Sequence, residues 1–168
     1  MLRLFIDQRT ISNTLAISRA GIRKFSLLFS FLLLSWASSA SALDAVHQTW
    51  TGKAIDGYDP VAYFTNGGPT EGVKDFQYEW NDATWYFVSE ENLEKFKASP
   101  EKYAPQYGGY CAWAVSQGYT ASTDPEAWDI HDGKLYLNYS KSVQQTWLQD
   151  KVNNIVAGDK NWPGLLKD

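Results

Sequence analysis

Few side chains in this sequence are suited to chemistry, and they stand at telling positions. Among its 168 residues are one cysteine, Cys111, and two histidines, His47 and His131. Cys111 follows Gly108-Gly109, where the backbone can approach other groups closely, and stands near the start of a short helix expected over Tyr110 to Ser116. Backbone N–H groups at such a position favour a thiolate, which suits a soft metal ligand or a redox thiol. The alternative is a small buried residue packed among Tyr110, Trp113 and Ala114, since free cysteines are among the most buried residues. His131 occupies a turn beside Asp129 and Asp132. An imidazole oriented by a carboxylate serves metal sites and general bases, and a solvated turn histidine is the plain alternative. Cys111, the two histidines His47 and His131, and scattered acids together would suit Cu or Zn. His47 lies close to the expected mature N-terminus and is expected to be mobile. Asp56 and Asp59 flank Gly57-Tyr58. Paired carboxylates can hold a hard cation or act as acid and base, whereas Asp before Gly or Pro often caps a turn. There is no G-x-S-x-G, H-E-x-x-H, C-x-x-C, P-loop or dinucleotide glycine fingerprint, so no familiar catalytic motif argues for an enzyme.

The charge is unevenly divided. Arg3, Arg9, Arg19, Arg23 and Lys24 face one acid, Asp7, in the first 42 residues. From Leu43 onward there are 10 Lys, no Arg and 18 Asp and Glu, a net charge of −8 against −4 for the whole chain. An acidic domain without arginine has no counter-charge for phosphates, so nucleic acid is not an expected partner. Of these 126 residues 21 are aromatic, which points to a packed core and away from disorder. The apolar run at residues 25–36 follows Arg23-Lys24 and precedes Ala40-Ser41-Ala42, the pattern of a signal peptide cleaved before Leu43. An uncleaved anchor and an organellar transit peptide are the alternatives. Twelve residues fall short of the roughly 20 that span a bilayer, so no stable membrane span is expected once the leader is removed. The expected organisation is a signal peptide at 1–42 and a single domain at 43–168, exported to a periplasm or the exterior. One cysteine excludes an internal disulfide, so the core must hold the domain together alone.

The elements that must position these residues are short. Phe76 to Trp80 alternates aromatic and polar residues, and Thr84 to Val88 is rich in β-formers; Asn81-Asp82-Ala83 reads as the turn between them. Ser89 offers an N-cap to a helix reaching Lys97, with acids in its first turn and lysines in its last. Ser99-Pro100 opens another short helix. Trp128 to Tyr139 reads as a second hairpin turning at His131-Asp132-Gly133. A last helix is expected from about Lys141 to Val156, with Val143, Trp147, Leu148 and Val152 on one face. The fold class is therefore α+β, a small antiparallel sheet of two hairpins with several short helices and a C-terminal helix.

Asp56-Gly57-Tyr58-Asp59-Pro60-Val61-Ala62-Tyr63-Phe64 resembles the opening of the YHS-domain family. Tyr86-Phe87-Val88-Ser89, the helix to Phe96, and Ser99-Pro100-Glu101-Lys102-Tyr103 are similar to its central signature. Tyr107 to Ala112 and Asp132 to Tyr139 resemble an exported, single-domain branch, so the likeness spans about residues 54 to 163. The resemblance implies a small-ligand module, with a transition metal among the ligands such domains take. The positions of the relatives' metal-binding cysteines fall here on Ala62, Val88 and Asn92 or Leu93, none of which offers a thiolate. Three functions remain open: a non-enzymatic module binding a small ligand or metal ion through Cys111, a thiol or redox enzyme using Cys111 with His131, and a structural or protein-interaction domain. The Tyr and Trp residues are open to lining an aromatic pocket. Asn138-Tyr139-Ser140 matches the glycosylation triplet.

Overall fold

Strand β1 (Val73–Trp80) pairs antiparallel with β2 (Ala83–Phe87) in the computed structural model, which describes residues 43–167. The leader expected at residues 1–42 lies outside the described residues. Asn81 and Asp82 join the strands at φ 50° and 58°, a left-handed two-residue turn whose twist suits paired strands. The turn is one residue shorter than expected, because Ala83 is already buried as the first residue of β2. Strands β3 (Asp124–His131) and β4 (Lys134–Asn138) repeat the device at Asp132-Gly133, with φ 49° and 72°. His131 pairs with Lys134 and so belongs to the strand. The hairpins are two separate two-strand sheets, and with several short helices and a C-terminal helix they make an α+β fold.

Helix α1 (Ala62–Thr65) follows the Asp59-Pro60 turn, and α2 (Glu90–Ala98) follows β2. Ser89 caps α2 as expected, its side chain accepting from the Asn92 N–H at 3.2 Å. Helix α3 (Pro100–Tyr103) has proline in its first turn. The chain then passes through a 3-10 segment, Gln106–Gly109, in which Tyr107 and Gly108 are left-handed. Helix α4 (Ala112–Ser116) comes next, two residues later than expected, with Cys111 as its N-cap.

The aromatic residues divide between two cores. In the first, the fully buried Phe96 of α2 meets Trp85 and Phe87 of β2 at ring-centroid distances of 5.1 and 5.2 Å. In the second, Tyr107, Tyr110, Val115, Tyr136 and Trp147 pack together. Strand β4 serves both: Leu135 and Leu137 face the first core while Tyr136 faces the second. That is why both its faces are buried, where a simple alternation would have left one solvated.

The expected C-terminal helix is broken and extended. Helix α5 (Lys141–Gln149), capped by Ser140, stops at Asp150, and α6 (Lys151–Leu165) starts on a new axis. The break rotates Val152 off the shared apolar face, leaving it 61% exposed, while Trp147 stays buried. Helix α6 runs past Gly158, where the missing side chain lets it sit against Tyr107. A Cβ there would come within 2.6 Å of the Tyr107 hydroxyl oxygen. Among the described residues no helix is long and apolar enough to cross a membrane.

Candidate functional site

Asp59 is completely buried, and its carboxylate accepts four hydrogen bonds. Oδ1 takes the backbone N–H groups of Val61 and Ala62 at 2.8 and 3.2 Å. Oδ2 takes the Val88 N–H at 2.9 Å and the Asn92 side-chain amide at 2.7 Å. The first pair is the turn cap expected of Asp before Pro. The second pair ties that turn to the end of β2 and to α2. The family resemblance placed thiolates at Ala62, Val88 and Asn92 or Leu93; of these, Ala62, Val88 and Asn92 converge on this carboxylate. With four donors its lone pairs are filled, so the cluster works as a polar knot inside the fold. Asp56 does not share this pocket of donors: it is exposed, in a left-handed turn at φ 57°.

Cys111 is 1% exposed. Its sulfur accepts the Tyr139 N–H at 3.3 Å and lies 3.9 Å from Asn138 Oδ1, which also takes the Trp113 N–H at 3.2 Å. Asn138 is itself fully buried, so the glycosylation triplet is closed to a glycan in the folded chain. His131 lies elsewhere. Its Nε2 is 3.5 Å from Asp132 Oδ2, and Asp129 is paired with Lys151 at 3.0 Å. The thiol meets the end of β4 and His131 pairs with its start. The five steps from Lys134 to Tyr139, at roughly 3.3 Å each, place them about 16 Å apart. The structure therefore does not bring Cys111 and His131 together. Among the described residues, no three His, Cys, Asp or Glu side chains gather as metal ligands.

His47 departs from its expected mobility. Its backbone N–H donates to the Gly108 carbonyl at 2.8 Å and its carbonyl accepts from Ile55 at 3.0 Å. The ring stands edge-on to Tyr110 at 5.2 Å. Burial lowers the His47 pKa below its ordinary 6.5, partly opposed by Asp56. Position near the expected mature N-terminus gave no hint of this anchoring, which depends on the left-handed Gly108 far along the sequence.

A cleft of about 460 Å³ opens at the seam of the two cores. Trp80 from the end of β1, Glu101 from α3, Tyr107, Lys134 from β4, and Asp159 and Trp162 from α6 line it. The Tyr107 hydroxyl faces both the Ile155 carbonyl at 3.2 Å and Asp159 Oδ1 at 3.0 Å, fixing α6 along the cleft. Burial first, then the bond to Asp159, raises the Tyr107 pKa well above 10, so the hydroxyl stays a donor. An aromatic pocket was foreseeable from composition, but its members were not, because they come from five separate segments.

Residues 61–107 match the model of the YHS domain family, described as YHS domain. The matched segment carries the four donors to Asp59 and, among the residues lining the cleft, Trp80, Glu101 and Tyr107; Lys134, Asp159 and Trp162 lie beyond it. No curated protein and no solved structure matches the chain significantly.

Proposed function

We propose that this protein is an exported, non-enzymatic module that binds a small polar ligand in the cleft between its two cores. The observation that carries the reading is the cleft. Its volume of about 460 Å³ lies within the range of small-ligand sites, and it presents two indoles and charged side chains of both signs. The YHS match favours a small-ligand role, and the likeness of Tyr107 to Ala112 and Asp132 to Tyr139 to an exported branch extends it along the chain. Export is supported by the basic, apolar, small-residue order of residues 1–42. Capture of Cu or Zn through Cys111, or thiol chemistry with His131, has weaker support. Among the described residues the sulfur is enclosed, already accepts an N–H, and belongs to no group of three or more potential metal ligands.

The test is a thermal-shift and tryptophan-fluorescence screen of the purified protein against amino acids, amines, sugars, carboxylates and divalent metals. A saturable response to an organic ligand that Trp162→Phe weakens supports the cleft. A response confined to Cu or Zn and abolished by Cys111→Ala would overturn it. Cell fractionation with N-terminal sequencing tests export: a mature chain starting at Leu43 outside the cytoplasm is expected, and an intact leader inside it contradicts the claim.

A further inference from the structure

We infer that the cleft recognises a small zwitterion, a molecule carrying an ammonium group and a carboxylate a few bonds apart; the inference rests on the cleft's being the binding site. Its charges are the reason. Three of the ten lysines from Leu43 onward pair with a carboxylate: Lys95 with Glu91 at 2.7 Å, Lys97 with Glu94 at 2.8 Å and Lys151 with Asp129 at 3.0 Å. Lys134 and Glu101 form no such pair among the described residues, and Asp159 receives only the Tyr107 hydroxyl. One ammonium and two carboxylates thus line the same cavity without answering one another.

Each simpler ligand leaves part of this unmatched. A lone anion would meet Lys134 but be repelled by Glu101 and Asp159, within a domain that carries −8 and no arginine. A lone cation would suit the carboxylates and the faces of Trp80 and Trp162, but would leave Lys134 as an uncompensated repulsion. A neutral sugar could stack on the indoles, yet its hydroxyls need no formal charges of opposite sign. A zwitterion satisfies all five side chains. Its ammonium lies toward the indoles and the two acids, and its carboxylate lies toward Lys134. Such molecules fit easily within about 460 Å³.

The test is isothermal titration of the purified protein, with NMR shift mapping, using glycine betaine, glycine and β-alanine as zwitterions. Tetramethylammonium, acetate and glucose are the comparators. At least one zwitterion should bind more tightly than every comparator and shift resonances of Trp80 and Trp162. Lys134→Glu, an exposed substitution at a strand start, should weaken that zwitterion by about tenfold and bring tetramethylammonium up to or above it. If a comparator matches or exceeds the zwitterions in the wild-type cleft, or Lys134→Glu leaves zwitterion binding unchanged, the zwitterion assignment is wrong while the cleft stands. If no probe moves the cleft resonances, and the broader screen finds no organic ligand there either, both readings fall.

Discussion

Asp59 stands just before the matched segment and ties distant parts of it together. Two of its four donors come from the next three residues; the other two come from Val88 and Asn92. Asp59→Asn keeps the shape but replaces one accepting oxygen with an amide that faces N–H donors. A cost of about 3 kcal/mol is expected, because charge-assisted bonds are lost and buried donors are left unpaired. Urea unfolding at neutral pH measures it, and a loss below about 1 kcal/mol would refute the knot. For Cys111, the packed environment predicts that Cys111→Ala destabilises by about 1–2 kcal/mol through lost contacts and an unpaired Tyr139 N–H. Ligand affinity should be unchanged in the same variant. Half of the Asp59 cluster was legible in the sequence, because an Asp-Pro turn cap is local chemistry. The other half was not, since nothing in Val88 or Asn92 announces a partner some thirty residues away.

At the scale of elements, both hairpins, the Ser89-capped helix and the Pro100 helix were legible, because each rests on a local device: left-handed turn residues, a capping hydroxyl, a proline at a helix start. The break at Asp150 and the run of α6 past Gly158 were not, because they answer tertiary contacts with β3 and Tyr107. Gly158→Ala sets two effects against each other. Alanine gains about 1 kcal/mol of helix propensity, while forcing a methyl against the hydrogen-bonded Tyr107 ring costs about 1–3 kcal/mol. A net loss of stability is expected, smaller when Tyr107→Phe removes the hydroxyl oxygen; a stabilised Gly158→Ala would mean that α6 does not press on Tyr107. The N-terminal segment carries a pH prediction. His47 is held neutral by burial, so its folded pKa lies below 6.5 and the unfolded chain takes up a proton first. Its contribution is fully present above pH 6.5 and declines as the pH falls through the window beneath it, levelling once the folded ring also protonates. His47→Gln should flatten stability against pH there, as read from unfolding midpoints; an unchanged slope would assign the dependence elsewhere.

On the scale of the whole molecule, the matched segment supplies much of the first core and the helices after it much of the second, β4 is shared between them, and the cleft opens where the two meet. The excess of acid over base from Leu43 onward weighs against phosphate-rich partners; around this cleft it also bears on which ligands approach. The lone cysteine drew attention in the sequence because rare residues do, whereas the cleft's walls are common residues made significant by proximity alone. The most direct measurement is NMR shift mapping of the purified protein during titration with the best organic ligand from the screen, followed by Zn and Cu. The account predicts saturable shifts at the Trp80 and Trp162 indole N–H groups and at Lys134, with the resonances around Cys111 undisturbed by ligand or metal. Saturable, metal-dependent shifts centred on Cys111 and Tyr139, with the cleft silent to every organic ligand, would contradict it.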